Sequence, residues 1–340
     1  MIFTLLDENF VTVRVLDDFK SFIWTDRFCE YGDFELYRPF TQEWIQGIYP
    51  NMYVANDESD HLMIVENIKV EDTEDGEFVS ITGRSLESIL DRRIVWVQTD
   101  LSTTLVKAIQ RLLNDSILNP SIKDRKISNF IYVPPTDSDI LKIKIDKQWT
   151  GDSVYKAISE LLAEEDLGFQ IVVDNRKRFV MSILKSVDKS SYINFSKDMN
   201  NIFSSTYVNS YEDYKNVVLV AGEGQGADRK TRIVGSGSGL ERRELYSNSS
   251  GIRSDQVSAA TYLKMLDAKG QEELYAHRIM NEYEADADVD RYYKYRVDYN
   301  VGDIVIFENP YGESVTARID EMIFSHDDEG SKAYPSFTIL

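Results

Sequence analysis

The sequence predicts a mainly β protein of the α+β class, in which an α/β insert lies between two β-rich ends. Tyr and Phe, which favour strands, occur 20 and 16 times among 340 residues. Both ends of the chain are rich in short apolar–polar alternations separated by polar turns. In the middle, the apolar spacing changes to the period of about 3.6 residues that is typical of helices.

Residues 1–100 are predicted to form a series of β-hairpins. The stretch 32–37, GDFELY, alternates apolar and polar residues as a half-buried strand does. Acidic turns at 56–60 and 72–77 separate apolar runs on either side. A chain of hairpins suits a small antiparallel barrel, so we assign 1–100 to a first β-barrel domain.

Residues 101–194 are predicted to form an α/β insert domain. Leu105, Ile109 and Leu113 fall on one helical face, and a second amphipathic helix begins near Asp152. Two β-rich runs follow and are joined by a turn signal at 174–175. Helices and strands therefore alternate here, unlike in the flanking regions.

From residue 195 onward the β pattern returns. Strands are predicted at 202–209, 216–221, 303–307, 315–324 and 336–340. A helix is expected at about 254–284, with an interruption at Gly270. Two β-rich ends around an α/β middle suggest a loose duplication, although the two ends share no obvious identity.

The charge is strongly acidic, with 58 Asp and Glu against 38 Lys and Arg and a net charge of -20. Such a surface repels nucleic acid, although solubility alone would also explain it. The N-terminal segment MIFTLLDENF lacks the apolar core of a signal peptide, and the longest apolar run, 217–221, is far too short for a membrane span. We therefore expect synthesis in the cytoplasm without an export signal and no membrane span.

The glycine-rich stretch GEGQGADRKTRIVG at 222–235 is a candidate nucleotide site, because it follows the apolar run 217–221, and a glycine-rich turn after an apolar strand is typical of dinucleotide-binding folds. A dinucleotide fingerprint needs glycines spaced G-x-G-x-x-G at the start of a helix. Gly222, Gly224 and Gly226 have a different spacing, and no helical apolar pattern follows them. A wide hairpin turn fits better, since glycine adopts positive φ angles freely. No cofactor is predicted.

Other candidate chemistry is equally sparse. The histidines at 61, 277 and 326 do not have metal-ligand spacing and are interpreted as ordinary surface or half-buried residues. Cys29, the single cysteine, cannot form an internal disulfide and is interpreted as buried and inert. With so many carboxylates, any one acid pair is uninformative. No catalytic, cofactor-binding or metal-binding residue is predicted, and a structural role is favoured.

Three segments resemble the tail-hub, or baseplate hub, proteins of long-tailed bacteriophages. The first is WTDRFCEYGDFELYRP at 24–39, and the second is ITGRSLESILDRRI at 81–94. The third is the glycine-rich stretch from 222, continuing into GLERRELY at 239–246. The motif residues of the second segment are Gly83, Arg84, Ser85 and Leu86.

The resemblance implies two β-barrel hub domains, the second at 195–340, and a homotrimer that forms a pseudo-sixfold ring. Such a ring joins a sixfold tail tube to a threefold tip and lines an acidic channel for DNA. It implies as partners a tail tube or distal tail ring protein and a central spike, fibre or tape-measure protein. The loop at 222–239 would contact a neighbouring subunit through Gly222, Gly224, Gly226, Arg229, Lys230 and Arg232.

The resemblance also implies a virion tail protein that is assembled in the host bacterial cytoplasm. Some relatives carry a C-terminal peptidase, lysozyme or fibre-binding extension, but this sequence ends at Leu340 in a predicted barrel strand, so no enzymatic activity is expected. Two alternatives stay open. One is a tail-associated cell-wall hydrolase that uses an acid pair or Cys29. The other is a receptor- or carbohydrate-binding tail-tip protein that uses the aromatic cluster YYKY at 292–295. Whether the source is a phage, a prophage or a contractile bacteriocin is also open, as is a siphophage or myophage origin.

Overall fold

A computed structural model describes residues 2–16, 19–255, 257–287, 291–308, 311–328 and 330–340. Strands dominate these residues, so the predicted mainly β class is confirmed. The first region contains β1 (Phe3–Leu6), β2 (Thr12–Leu16), β3 (Ser21–Arg27), β4 (Asp33–Pro39), α1 (Gln42–Ile45), β5 (Tyr53–Asn56), β6 (Leu62–Thr73) and β7 (Gly76–Ser85).

The middle region mixes helices and strands. It begins with a 3-10 helix at Leu86–Arg92 and continues with β8 (Thr99–Thr104), α2 (Leu105–Leu113), β9 (Phe130–Val133), β10 (Lys144–Trp149), α3 (Val154–Ala163), β11 (Leu167–Val173) and β12 (Phe179–Lys185). The apolar faces of α2 and α3 pack with the sheet β11-β12-β9 in one hydrophobic cluster. The side chain of Ser153 caps α3 by accepting the N–H of Lys156 at 3.4 Å.

The last region contains β13 (Asn194–Phe195), β14 (Ile202–Ser210), β15 (Val217–Ala221), β16 (Thr231–Gly235), β17 (Glu244–Asn248), α4 (Ala259–Ala276), β18 (Met280–Ala287), β19 (Ile304–Glu308), β20 (Ser314–Asp327) and β21 (Gly330–Ile339). A small sheet, β16-β15-β17, packs on α4 and has a hydrophobic cluster of its own. The predicted domain boundaries at 100 and 194 stay predictions.

The helix α4 is shorter than the predicted span 254–284, in which Gln256 lies outside the described residues. It is also continuous through Gly270, where the sequence predicts an interruption. A Cβ at Gly270 would lie 2.5 Å from Cγ2 of Val234 on the small sheet. Glycine is therefore needed here for close helix–sheet packing, and the surrounding helix tolerates it.

Thirteen strands from both ends of the chain form one sheet, with the main order β14-β18-β21-β20-β3-β4-β7-β6-β5-β1-β2. One large hydrophobic cluster lies against it and includes residues from both ends. The main order begins at β14 and ends at β2, and the described strands form no closed barrel. The two predicted β-barrels are therefore not established, because their strands merge into one open sheet.

Eight strands of this sheet divide into two units with identical connectivity. The N-terminal unit has the order β3-β4-β7-β6, and the C-terminal unit has the order β14-β18-β21-β20. In both units the strands, numbered along the chain, lie in the order 1-2-4-3, and all neighbours are antiparallel. The third strand of the C-terminal unit, β20, pairs with the first strand of the N-terminal unit, β3. The units are thus arranged in tandem.

The two units also share local details. The third strand carries a register shift near its middle in both, between Val65 and Asn67 in β6 and between Ile319 and Glu321 in β20. The turn into the fourth strand ends on Gly76 or Gly330, whose φ angles are +123° and +119°. Residue n of the β6–β7 hairpin therefore matches residue n + 254 of the β20–β21 hairpin. The suspected duplication is present in the backbone.

Candidate functional site

The glycine-rich stretch is the turn of a hairpin. Strands β15 and β16 pair antiparallel from Val217↔Gly235 to Ala221↔Thr231, which confirms the hairpin interpretation. Gly224 and Gly226 have φ angles of +95° and +55°, in the left-handed region that favours glycine. The turn contains only a three-residue 3-10 helix at Gly226–Asp228 before β16, so it offers no α-helix N-terminus for a pyrophosphate.

The turn is held against α4 by a network of hydrogen bonds. A Cβ at Gly222 would overlap the hydroxyl of Tyr262, so only glycine allows this contact. That hydroxyl accepts the N–H of Glu223 at 2.8 Å. The carboxylate of Glu223 in turn accepts the N–H of Ser254 at 3.2 Å and lies near the ammonium of Lys230. Hydrogen bonding to Ser254 lowers the pKa of Glu223.

All three basic residues of the predicted inter-subunit loop contact their own chain. The guanidinium of Arg229 donates to the carbonyl oxygens of Ala221 and Gly222 at 3.0 and 3.1 Å. The ammonium of Lys230 lies 3.6 Å from the carboxylate of Glu223 and over the ring of Tyr262. Arg232 makes a bidentate ion pair with Asp267 of α4, at 2.6 and 2.8 Å.

The GRSL motif marks the corner where the N-terminal unit meets the α/β insert. A Cβ at Gly83 would overlap the carbonyl oxygen of Ile64, so glycine permits the close approach of β6 and β7. Arg84 makes a bidentate pair with Glu66 at 2.7 and 2.9 Å, and its guanidinium stacks 4.9 Å from the ring of Tyr31. These contacts fix the strand just before it leaves the sheet.

Ser85, Leu86 and Glu87, the next residues along the chain, make buried contacts that hold this corner in place. The hydroxyl of Ser85 accepts the N–H of Gly32 at 2.8 Å and donates to the carboxylate of Glu87. Leu86 is fully buried in the cluster of the insert. Glu87, also fully buried, accepts the N–H of Ile171 on β11 at 2.6 Å. The motif therefore joins the large sheet to the insert.

Glu87 belongs to a buried ionisable cluster that includes His61 and Asp26. Nδ1 of His61 lies 3.6 Å from the carboxylate of Glu87. Burial alone would lower the pKa of His61, but the nearby carboxylates of Asp26 and Glu87 outweigh it and raise the pKa to about 9. Burial would raise the pKa of Glu87, but His61 and the hydrogen bonds to Glu87 lower it. Both groups are therefore charged near neutral pH.

Asp26 ties this cluster to the C-terminal part of the chain. Its carboxylate accepts the indole N–H of Trp24 at 2.9 Å, the hydroxyl of Ser59 at 2.7 Å and the hydroxyl of Tyr295 at 3.1 Å. The sequence interpretation of His61 as an ordinary residue missed this cluster. The participating residues are far apart in sequence, and no spacing connects them.

Cys29 is shielded by burial, which raises the pKa of its thiol to about 12. The thiol donates to the carbonyl of Leu167 at 3.4 Å. These contacts agree with an unreactive cysteine, since the thiolate is the nucleophile. A cavity of about 380 Å³ lies beside it and is lined in part by Arg27 and Arg318. Arg27 pairs with Asp33 and Glu321, and Arg318 with Asp166 and Asp320.

Within the described ranges, no three His, Cys, Asp or Glu side chains converge as a group that could hold a metal ion. Of the helices in the described parts of the chain, none has the length and apolar character needed to cross a membrane.

A family model described as Siphovirus ReqiPepy6 Gp37-like protein matches residues 2–337, nearly the whole chain. The chain belongs to this family. The resemblance to proteins of long-tailed phages is thereby confirmed, and this Gp37-like chain is a phage tail protein. No curated protein sequence matches it at a significant level.

Solved structures show the same fold at low sequence identity. The tail protein of Neisseria meningitidis MC58 is 14% identical and has a TM-score of 0.60, with 99% of this chain and 95% of that protein covered. The 43 kDa tail protein of prophage MuSo2 from Shewanella oneidensis is 14% identical and has a TM-score of 0.61, with 99% and 98% covered. Prophage tail protein gp18 of Listeria monocytogenes EGD-e is 15% identical and has a TM-score of 0.53, with 99% and 94% covered.

Proposed function

We propose that this Gp37-like protein is the hub of a phage tail tip and that three copies form a ring joining a sixfold tail tube to a threefold tip. The observation that carries this proposal is the tandem of two units with the same connectivity. Three copies would supply six equivalent units around one axis, while the chain itself repeats only three times. Such an assembly matches sixfold symmetry on one side and threefold symmetry on the other.

The two units also correspond to the two expected barrel domains. We propose that the N-terminal unit with β1, β2 and β5 is the hub domain expected at 1–100, and that the C-terminal unit with β13 and β19 is the one expected at 195–340. The register shifts in β6 and β20 support this, because bulges bend strands and increase sheet curvature. The region 101–194 would be the α/β insert domain between them.

The face of the sheet that points away from the core supports an acidic channel. Alternation along β4 and β18 buries Phe34 and Tyr283 and turns Glu35, Glu284 and Asp286 to the opposite face. If this face lines the bore, passing DNA meets like charge and is not retained. The net charge of -20 is in keeping with transient passage without specific binding.

The glycine-rich hairpin stays our proposed contact to a neighbouring subunit or ring. Its basic residues are engaged within the chain, so the contact would use the outer face of the small sheet instead. There Leu219 pairs with Ile233 and Tyr246 in adjacent strands, and all three side chains are exposed. Deleting residues 225–237 is expected to impair tail assembly, measured as the yield of infectious particles, whereas normal assembly would contradict this contact.

The remaining parts of the proposal concern partners and location. The ring would contact a tail tube or distal tail ring protein above and a spike, fibre or tape-measure protein below. It would be assembled in the cytoplasm of the host bacterium and would act as a structural part of the virion tail without catalysing a reaction.

Light scattering and negative-stain imaging of the purified protein test the proposal together. The expected result is a mass of three chains and a threefold ring with a central hole. Antibody labelling of the tail should place the protein at the tip. A single-chain mass at all concentrations, together with labelling away from the tip, would overturn the hub assignment.

A further inference from the structure

Among the eight strands of the two units, two edges lack a strand partner within the described residues. Strand β6 pairs with β5 only as far as Ile64, so its edge from Asn67 to Asp72 is unpaired. At the opposite end of the sheet, β14 pairs only with β18. Unpaired edges present rows of N–H and C=O groups that readily accept another strand. The two edges belong to the two different units.

The chain already contains a junction of the required type. Inside the molecule, β20 pairs antiparallel with β3, from Glu321↔Arg27 to His326↔Phe22. This junction joins the third strand of one unit to the first strand of the next. In the duplicated frame, β6 corresponds to β20 and β14 corresponds to β3. The two free edges are therefore the two halves of a second junction of this kind.

The correspondence fixes which residues would face each other. In the third strands, residue n of β6 matches n + 254, so Glu71 matches Ser325. In the second strands, Asp33 pairs with Arg84 and Glu282 pairs with Thr338, and Arg84 and Thr338 are matched residues. Asp33 and Glu282 pair in turn with Thr25 and Val208 of the first strands, so residue n of β3 matches residue n + 183 of β14. The matched aromatic pairs agree, since Trp24 packs on Phe34 as Tyr207 packs on Tyr283.

We infer that β14 of a second copy pairs antiparallel with the free edge of β6, in the register that runs from Asn67↔Ser210 to Asp72↔Ser205. This inference rests on the proposed trimer and names its interface. Three such head-to-tail junctions, alternating with the three internal ones, close a ring of six units and leave neither edge free. With eight unit strands in each copy, the ring contains 24 strands.

The side chains at the two edges suit this pairing. Val70 lies opposite Tyr207 in the register, where the internal junction has Phe324 opposite Trp24. Val70 pairs with the core residue Val79 and is 50% exposed in the single chain, so joining the edges covers it on the core face. Each edge offers six residues for antiparallel pairing, the same number as pair between β20 and β3 in the internal junction.

Disulfide trapping tests the register directly. The variant Glu71→Cys/Thr206→Cys corresponds to Ser325→Cys/Ile23→Cys across the internal junction. Directly paired strand positions bring Cβ atoms within about 5 Å, close enough for a disulfide. We expect oxidation to link Glu71→Cys/Thr206→Cys into covalent trimers on a non-reducing gel. Because Cys29 is only partly buried, every trapping variant also carries Cys29→Ser.

Two controls make the result specific. The Glu71→Cys/Ser210→Cys variant moves one cysteine four residues along the same face of β14, about 13 Å away, and should not form covalent trimers. The Ser325→Cys/Ile23→Cys variant should form an internal disulfide in monomeric and trimeric protein alike. It shows that oxidation works at a junction of this geometry.

A second variant tests the interface without cysteines. Val70→Asp places a charge on the core face where the edges meet, opposite Tyr207, and is expected to raise the dissociation constant of the trimer about tenfold or more. The matched control is Val97→Asp, since Val97 is 68% exposed and lies outside both proposed edges. Sedimentation velocity measures both.

The outcomes separate this inference from the hub proposal. A stable trimer that is neither trapped by Glu71→Cys/Thr206→Cys nor weakened by Val70→Asp overturns the edge pairing and leaves the hub proposal in place. Trimers trapped equally by the Ser210 control overturn the register. A wild-type protein that is monomeric both alone and in the tail overturns the trimer and the edge pairing together.

Discussion

The N-terminal and C-terminal units share one strand frame but differ in what separates their first two strands. In the N-terminal unit, β3 and β4 are joined by five residues, 28–32. In the C-terminal unit, 211–279 lie between β14 and β18 and contain the small sheet, α4 and a separate hydrophobic cluster. Material has thus been added at a connection while the strand order stayed the same, as loops tolerate insertion better than paired strands.

The units also differ in how they fill equivalent interior space. Gly83 of β7 matches Phe337 of β21 in the shared frame. In the N-terminal unit, Phe34 from the neighbouring strand occupies the space beside Gly83. In the C-terminal unit, Phe337 fills the space itself and packs on Phe307 and Phe195 at ring distances of 4.6 and 5.7 Å.

The largest expected effect breaks this packing in the C-terminal unit. Phe337→Ala removes a fully buried ring and is expected to cost about 3–5 kcal/mol of unfolding free energy, because a cavity remains among the aromatic rings. Urea unfolding measures the loss. Hydrogen exchange should rise in β20 and β21 more than in β6 and β7.

Phe337→Leu is the matched control, since it keeps most of the side-chain volume and should cost clearly less. A loss below about 1 kcal/mol for Phe337→Ala would mean that the ring is not a core element of the C-terminal unit.

The next effect concerns the buried cluster of Asp26, His61 and Glu87 in the N-terminal part of the chain. Asp26 matches Asn209 in the shared frame, and Asn209 is exposed. The folded-state pKa of His61 is raised from 6.5 to about 9, so its contribution is complete below pH 6.5 and is lost as the pH rises through 9. Over that interval we expect wild-type stability to fall by about 3 kcal/mol. Because the pKa of Glu87 is lowered, its contribution is present above pH 4.5 and is lost on further acidification.

Urea unfolding between about pH 5 and pH 10 checks this dependence. The variant His61→Gln should lose most stability near pH 6 and approach wild type above pH 9. The control His277→Gln replaces a histidine outside this cluster, so the pH dependence that the cluster causes should remain. An unchanged alkaline limb in His61→Gln would contradict the role of this charge cluster.

The sequence predicted features that depend on neighbouring residues and missed those that depend on distant ones. Alternation and turn chemistry found most strands and the hairpin β15–β16. The sequence predicts the last strand at 336–340. In the fold, β21 begins at Gly330 and passes through Pro335, which pairs with Met322 of β20. Tertiary pairing here overrides the local preference of proline.

The duplication could only be suspected from the sequence, and the charge cluster was missed, for a related reason. The two hairpins share strand register, the glycine of the turn and an acid at the bulge, Glu66 or Asp320, but little else. Core positions differ because each unit fills its interior with different residues. Two barrels were expected, and one sheet resulted, because β20 and β3 pair across the boundary between the units.

The bulge acids allow a final and smaller test of the comparison. In the N-terminal unit, Glu66 is held by Arg84, whereas in the C-terminal unit the matching acid, Asp320, accepts from Thr338 and Arg318. Arg84 is about one-third exposed, so its pair is partly screened, although bidentate geometry and the stacked Tyr31 strengthen it. We expect Arg84→Ala to cost about 1 kcal/mol and Thr338→Ala about half of that.

Hydrogen exchange assigns each loss to its own unit. Arg84→Ala should raise exchange in β6 and β7, and Thr338→Ala should raise it in β20 and β21. The control Arg84→Lys keeps the positive charge but lacks the planar guanidinium group. It should recover only part of the unfolding free energy that Arg84→Ala loses. If Arg84→Ala instead raised exchange equally in both hairpins, the bulges would be coupled through the β20–β3 junction, and the two units would unfold as one.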